Sequence, residues 1–324
     1  DGVGLGFANA VRRGPVGVVG ATGTGIQEVT CLLDAAGVGI SHAIGVGGRD
    51  LSPEVGGIMT LRALDLLAAD DATERLVIIS KPPDPRVARL VADAAATTGK
   101  PAVLAFPGLD APPPLPDGVS FAGSLEAAAA WAAGGGSGAP TGRGAASVVT
   151  PGLIRGLFCG GTLCYEAMAV VARVVGRVAS NIPLRPEWGL ADPHRSEGHT
   201  FVDFGDDALT EGRAHPMIDP GLRNERLRRE AADPETGVVV LDVVLGYGAH
   251  SDPAGELAPL VERALVERPG GLSVVVSLCG AAGDPQGLDG QAAALRGAGA
   301  LVTRSSAQAA RLALAAAGLA EERP

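Results

Sequence analysis

At 324 residues, 46% of them hydrophobic, the chain is long enough for two compact domains with full cores and too apolar to be disordered. Aromatics are only 3% against many Ala, Val and Leu residues, which suits parallel strands alternating with Ala-rich helices and does not suit an aromatic-filled sandwich. A net charge of −10, with Lys81 and Lys100 the only lysines among 26 basic residues, leaves no basic face for a nucleic acid.

Taken in chain order, Val16–Val19 reads as a buried strand, Gly23–Ala35 as a helix, His42–Val46 as a strand and Gly57–Ala68 as a helix. Leu76–Ile79 (strand), Pro85–Thr97 (helix) and Ala102–Ala105 (strand) complete a β-α-β-α-β-α-β first half. The run Gly134–Gly144 defeats helix and strand alike, so it predicts a flexible linker near the middle of the chain. Beyond it the alternation resumes: strand Gly156–Cys159, helix Gly161–Val175, strand Phe201–Asp203, helix Pro220–Ala232, strand Val238–Leu245 and helix Gly255–Val266. Strand Ser273–Leu278, helix Gln286–Arg296, strand Ala300–Val302 and helix Ser306–Ala317 end the series. The expected domains are 1–140, with a linker to about residue 149, and 150–324.

The halves repeat. Gly23-Thr24-x-x-x-Glu28 lines up with Gly161-Thr162-x-x-x-Glu166, and Ala68-Ala69-Asp70-x-x-Thr73 with Ala231-Ala232-Asp233-x-x-Thr236, each of the last pair just before a Val/Ile-rich strand. Two such domains are expected to pack as a pseudo-two-fold pair with an extensive interface.

The four cysteines at 31, 159, 164 and 279 form no CxxC pair, so neither a metal site nor a disulfide framework is expected, and a reducing cytoplasm fits. The most apolar stretches, Val238–Leu245 and Ala127–Ala133, fall short of the ~20 residues of a membrane helix, and no basic-then-apolar leader opens the chain; a soluble protein with no membrane partner is expected. The first residue is Asp1 and not Met, which fits a piece of a longer polypeptide.

The first strand runs into Thr22, Gly23, Thr24 and Gly25 at a helix start, where unpaired N–H groups and the helix dipole favour an anion such as phosphate. No Lys follows and the spacing is neither that of a dinucleotide fingerprint nor that of a Walker loop, so the turn also reads as a tight β–α connection capped by Thr22 or Thr24. Gly160, Gly161 and Thr162 repeat the arrangement, and both helix starts are expected to point at one phosphoryl group. Gly47 and Gly48, with Arg49 as an anion fork that Asp50 orients, make a second candidate element, whose alternative is a structural Arg–Asp pair. Lys81 ends a strand on the same carboxyl edge.

Among the five histidines, His215 stands out: Arg213, His215, Asp219 and Arg223 together hold an imidazole, two guanidiniums and a carboxylate that would grip a phosphate or carboxylate, or else simply pack their own loop. His250, after Gly246-Tyr247-Gly248-Ala249 at a strand end, is a weaker candidate. His42 reads as a hydrogen-bonded strand residue, and His194 and His199 as exposed members of a polar insertion. Glu28 and Glu166, more than a turn into their helices, read as interdomain hydrogen-bonding groups, and Cys159 as a small buried residue despite a helix start that would lower its pKa.

These strings carry a family resemblance. Gly17-Val-Val-Gly-Ala-Thr-Gly-Thr-Gly-Ile-Gln-Glu28, Ser41-His-Ala-Ile-Gly-Val-Gly-Gly-Arg-Asp50 and Ala69-Asp-x-x-Thr-Glu74 resemble the CoA-ligase domain of the succinyl-CoA synthetase superfamily. Gly47–Ser52, Ser80-Lys-Pro-Pro83, Gly160-Gly-Thr-Leu163, Gly212–Arg223 and Leu241-Asp-Val-Val244 are similar to its FdrA-type acyl-CoA synthetase branch. The resemblance implies an α/β architecture of two tandem flavodoxin-like, three-layer CoA-ligase domains, with the family's preceding Rossmann-like CoA-binding domain absent. It implies acyl or phosphoryl transfer, with coenzyme A, a CoA ester or an acyl phosphate as small-molecule partner, and partner subunits or a homodimer. The family's phosphohistidine loop corresponds to Phe106–Pro114, which has no histidine, so its phospho-relay is not expected here. A carbamoyltransferase using carbamoyl phosphate and an oxamate-like acceptor, and a non-catalytic scaffold or ligand-sensing subunit, are the alternatives.

Overall fold

The computed structural model describes residues 3–109, 111–135 and 149–319. It divides into two units, Asp1–Thr141 and Gly142–Pro324, each with its own parallel sheet. Residues 136–144 of the expected linker lie outside the described residues.

In the first unit the elements are β1 (Arg13–Gly20), α1 (Gly23–Ala35), β2 (Ile40–Gly45), α2 (Ile58–Ala68), β3 (Arg75–Ile79), α3 (Pro85–Thr97), β4 (Ala102–Ala105), β5 (Val119–Ala122) and α4 (Leu125–Ala132). The strands are parallel in the order β2-β1-β3-β4-β5, the flavodoxin-like arrangement. Helices cover both faces, so β3 after Arg75 and the whole of β4 are apolar, buried from Leu76 to Ile79 and from Ala102 to Ala105. Leu64 and Leu67 of α2, Val91 of α3 and Leu76, Ile78 and Leu104 of the sheet meet in one core cluster, each worth roughly 1.5–3 kcal/mol of burial for a full side chain. The sequence reading misses β5 and α4. β5 has four residues, of which only the outer two are buried, and the Leu-Glu-Ala-Ala-Ala-Ala-Trp-Ala stretch of α4 reads as a generic apolar run.

The second unit contains β6 (Leu153–Phe158), α5 (Gly161–Val175), β7 (Ala179–Ser180), a 3-10 turn at Pro186–Trp188, β8 (Thr200–Asp203), α6 (Asp207–Thr210), α7 (Gly221–Ala232), β9 (Thr236–Val244), α8 (Pro253–Glu267), β10 (Ser273–Cys279), α9 (Leu288–Gly297), β11 (Leu301–Thr303) and α10 (Ser306–Ala316). Its strand order, β7-β8-β6-β9-β10-β11, is that of the first unit with the two-residue β7 added at one edge. The duplication therefore shows in the topology as well as in the residue matches. It extends to the last helix: α4 and α10 start at serine caps, Ser124 and Ser305, and pack on the first helix of their own unit.

What distinguishes the second unit is the segment between β7 and β8, which runs over α7. Arg226 donates to the Pro193 carbonyl (2.8 Å) and Ser196 Oγ (2.7 Å), while Arg155 of β6 donates to the Gly198 carbonyl and pairs with Glu230 and Asp233. His199 belongs to this clamp and is half-buried, not exposed as expected: its Nδ1 accepts the Ile154 N–H at 3.1 Å. Burial and the neighbouring Arg155 push its pKa down.

Candidate anion-binding helix starts

In the first unit the carboxyl ends of the adjacent strands β2, β1 and β3 carry the expected residues. The turn from β1 into α1 is held by the Ala21 N–H, which donates to the Ile79 carbonyl at 2.9 Å, and by Thr22 Oγ1, which accepts the Gly25 N–H at 3.0 Å. Thr22, and not Thr24, is thus the cap. It uses the N–H of Gly25 and leaves Gly23 and Thr24 as first-turn donors without an intrahelical acceptor. Gly47, with φ +90°, accepts the Asp50 N–H in a turn that only glycine enters without strain, and a Cβ on Gly48 would lie 4.0 Å from the Ala21 carbonyl oxygen. The Gly47–Arg49 loop therefore runs past the α1 start, with Arg49 exposed. On the other side, half-buried Lys81 follows β3.

Asp50 does not orient Arg49. Its buried carboxylate accepts the N–H groups of Met59 and Thr60, each at 2.9 Å, and the Thr60 hydroxyl at 2.6 Å, holding the first turn of α2. The helix entered through Gly57 has no side-chain cap of its own, so the carboxylate supplies one from eight residues upstream of its first residue.

In the second unit the Gly160 cap also has no side chain to offer, and the turn that leads into the helix is held instead by a residue of β9. Asp242 is fully buried, and its Oδ1 and Oδ2 accept the N–H groups of Cys159 (2.7 Å) and Gly160 (2.8 Å). Arg223 of α7, also buried, donates Nη1 to the Asp242 carbonyl at 2.7 Å and stands 3.8 Å from Oδ1; it also donates to Cys159 Sγ. Burial pushes the Asp242 carboxyl up, while Arg223 and the two N–H donors pull it down. Burial likewise dominates at Cys159, whose thiol is pushed far above its ordinary range, so the lowering expected from the helix start does not prevail. All four cysteines are buried and free of disulfides.

The expected grip of Arg213, His215, Asp219 and Arg223 is not assembled. Arg223 turns inward to Asp242, Arg213 is exposed, and exposed Asp219 accepts the Gly221 N–H at 3.0 Å before α7. His215 is half-buried, with Nδ1 accepting the Met217 N–H at 3.2 Å and Nε2 facing Gly205, where a Cβ would come within 2.8 Å. Burial lowers its pKa. His250 lines a small cleft with Cys159, Met217, Arg223 and Val244, and its Nδ1 accepts the Asp252 N–H. His42, on β2, has Nε2 3.6 Å from Asp70. Glu166 accepts a hydrogen bond from Ser306 of α10 inside its own unit, and Glu28 is fully buried in α1. Asp242 is the residue that sequence reasoning passed over. A carboxylate within the otherwise apolar run Val238–Leu245 was the available signal, because a buried acid requires donors.

Among the described residues no helix is long and apolar enough to cross a membrane. Residues 157–316 match the family model of a CoA-ligase domain and residues 11–108 that of a CoA-binding domain. The second match differs from the CoA-ligase assignment expected for the first half, although the strand order there is the flavodoxin-like one. The chain is 42% identical over 292 residues to the uncharacterized protein YahF of Escherichia coli (strain K12), covering 82% of this chain and 54% of that protein. It thus spans about half the length of that relative. Among solved structures, the dinucleotide-forming acetyl-coenzyme A synthetase 1 of Ca. Korarchaeum cryptofilum aligns with a TM-score of 0.35 and 15% identity, over 95% of this chain and 65% of that one. A Methanosaeta concilii ATP citrate lyase, solved with (3S)-citryl-CoA, aligns with a TM-score of 0.33 and 14% identity, over 94% and 50%. The two domain matches support placement in the succinyl-CoA synthetase-like superfamily.

Proposed function

From a CoA-binding match followed by a CoA-ligase match, we propose that the chain is the core of an FdrA-type acyl-CoA synthetase-like enzyme acting in acyl or phosphoryl transfer, with the phosphoryl group held at the start of α1. The observation that carries this reading is the convergence of Gly23 and Thr24 with the Gly47–Arg49 loop and Lys81 at the carboxyl ends of three adjacent strands, where open α/β sheets bind ligands. When a nucleophile such as the thiol of coenzyme A attacks the acyl carbon of an acyl phosphate, the carbon–oxygen bond breaks and phosphate leaves with the charge. The first-turn N–H groups and the Arg49 guanidinium would stabilise that charge as it develops. Exposed Arg213 and half-buried His215 are proposed as ligand-binding residues of the second unit taken by itself.

A second reading is transfer from carbamoyl phosphate to an amide acceptor. It is favoured by the absence of histidine both from Phe106–Pro114, after β4, and from Gly280–Gly287, after β10, so that neither loop offers the imidazole of a phospho-relay. One experiment addresses both readings. The protein is incubated separately with ATP and with carbamoyl phosphate, with and without coenzyme A, and examined for an acid-labile, base-stable phosphoryl adduct and for released phosphate. Phosphate release without an adduct is expected; an adduct on any histidine would replace this reading with a relay ligase. Arg49→Ala is expected to weaken phosphate-bearing ligands by roughly 1.5–3 kcal/mol through loss of a charge-assisted bond.

A further inference from the structure

We propose that Asp242 is the built-in anion of the α5 start, so that phosphate and phosphate-bearing ligands bind at the α1 start and are excluded from its counterpart in the second unit. The inference rests on the assignment of the α1 start to phosphate and adds which of the two repeated helix starts is closed, and by what.

Four observations carry it. Both oxygens of the Asp242 carboxylate are engaged, by Cys159 N–H and Gly160 N–H, immediately before Gly161 and Thr162, which sets a charged side chain beside the donors that the repeated Gly-Thr motif presents. The corresponding step in the first unit uses a backbone group, the Ile79 carbonyl accepting the Ala21 N–H, so no side-chain charge enters there. The carboxylate comes with its own buried cation: Arg223 is 2% exposed, is the third residue of α7, and has an Nε with no hydrogen-bond partner. At the third position of α2 the first unit has Thr60, which serves Asp50. The flanking strand ends differ in charge as well. Arg49 and Lys81 follow β2 and β3, whereas β8 ends on buried Asp203 and β9 contains Asp242. A phosphate dianion brought to α5 would meet two buried carboxylates in a medium that screens them poorly.

The test uses the whole chain and inorganic phosphate as the probe. Amide hydrogen exchange is followed in peptides covering Gly23–Ile26 and Gly161–Cys164, in the wild type and in Asp242→Asn, and thermal midpoints are recorded with and without phosphate. In the wild type, phosphate is expected to slow exchange at the α1 start and leave the α5 start unchanged. In Asp242→Asn, a second phosphate per chain should bind, slowing exchange at the α5 start, because the helix dipole and the uncompensated Arg223 then attract an anion. The phosphate-induced rise in midpoint should also exceed that of the wild type. Asp242→Ser, which removes the same charge, serves where Asn at this buried position fails to fold. Slowed exchange at the wild-type α5 start overturns the proposal, as does a folded neutral variant that gains no phosphate there. If phosphate is silent at α1 in the wild type, the proposed function fails, while the neutral variants still decide the part played by Asp242.

Discussion

The starts of α1 and α5 carry the same Gly-Thr signature on the same strand order, yet their donors are satisfied by different groups. At α1 the cap is local and neutral: Thr22 folds back on Gly25, and the neighbouring loop bonds backbone to backbone. At α5 there is no side-chain cap, and the turn before the helix is held by a remote charged group, Asp242 from the adjacent strand, balanced by Arg223 from a third element. A repeat thus preserves the path of the backbone while leaving the charge at each helix start free to diverge. Path is fixed by many apolar contacts, whereas charge rests on one or two side chains.

The largest test of that contrast is Asp242→Ala. It leaves a buried guanidinium without its carboxylate and two buried N–H groups without acceptors, and a cost of about 3–5 kcal/mol in the denaturant unfolding of the second unit is expected. A cost below about 1 kcal/mol would mean that Arg223 is satisfied by carbonyl oxygens alone, and the charged description of α5 would be wrong. Gly205→Ala comes next. The added Cβ meets the Cys159 carbonyl oxygen at 2.6 Å and His215 Nε2 at 2.8 Å, so the loop after β8 must move, at roughly 1–3 kcal/mol. Equal stability of this variant and the wild type would show that the His215 loop is not pressed against the end of β6.

Thr22→Ala sharpens the other side of the comparison. Loss of its hydroxyl is expected to cost about 1 kcal/mol, recovered largely by Thr22→Ser, in the unfolding of the first unit. The smallest effect is a pH dependence confined to the second unit. His199 and His215 both have pKa values lowered from 6.5, so their neutral forms stabilise the fold at pH values above that, and the contribution is lost as the pH falls through their lowered folded values. The stability difference between wild type and His215→Asn, followed by urea titration from neutral pH downward, should therefore shrink below pH 6.5. A difference that grows with acid would contradict the assigned direction.

The fold was largely legible from the pattern of residues. Gly23–Ala35, Pro85–Thr97, Ala102–Ala105 and Gly161–Val175 occupy the ranges read from periodicity and helix-breaking residues, because each is set within its own segment by apolar spacing and an adjacent cap or proline. β5, α4 and β7 were not legible. The first two carry weak local signals, and β7 is a two-residue edge strand defined by pairing with β8. The candidate site divides along the same line. The glycine turns at Thr22–Gly25 and Gly47–Gly48 announce themselves, since backbone demands are written in residue type.

The partners of the charged residues do not. Asp50 reaches α2, Glu166 receives Ser306 from 140 residues away, and Arg223 leaves the expected phosphate grip to join Asp242 and Cys159. The sequence by itself determined two repeated α/β units and the places where their chains turn at strand ends, because hydrophobic period and glycine content act over a few residues. Only the tertiary structure decided which carboxylate closes which helix, because a buried charge takes whatever donor the packing brings within about 3 Å, however distant in the chain.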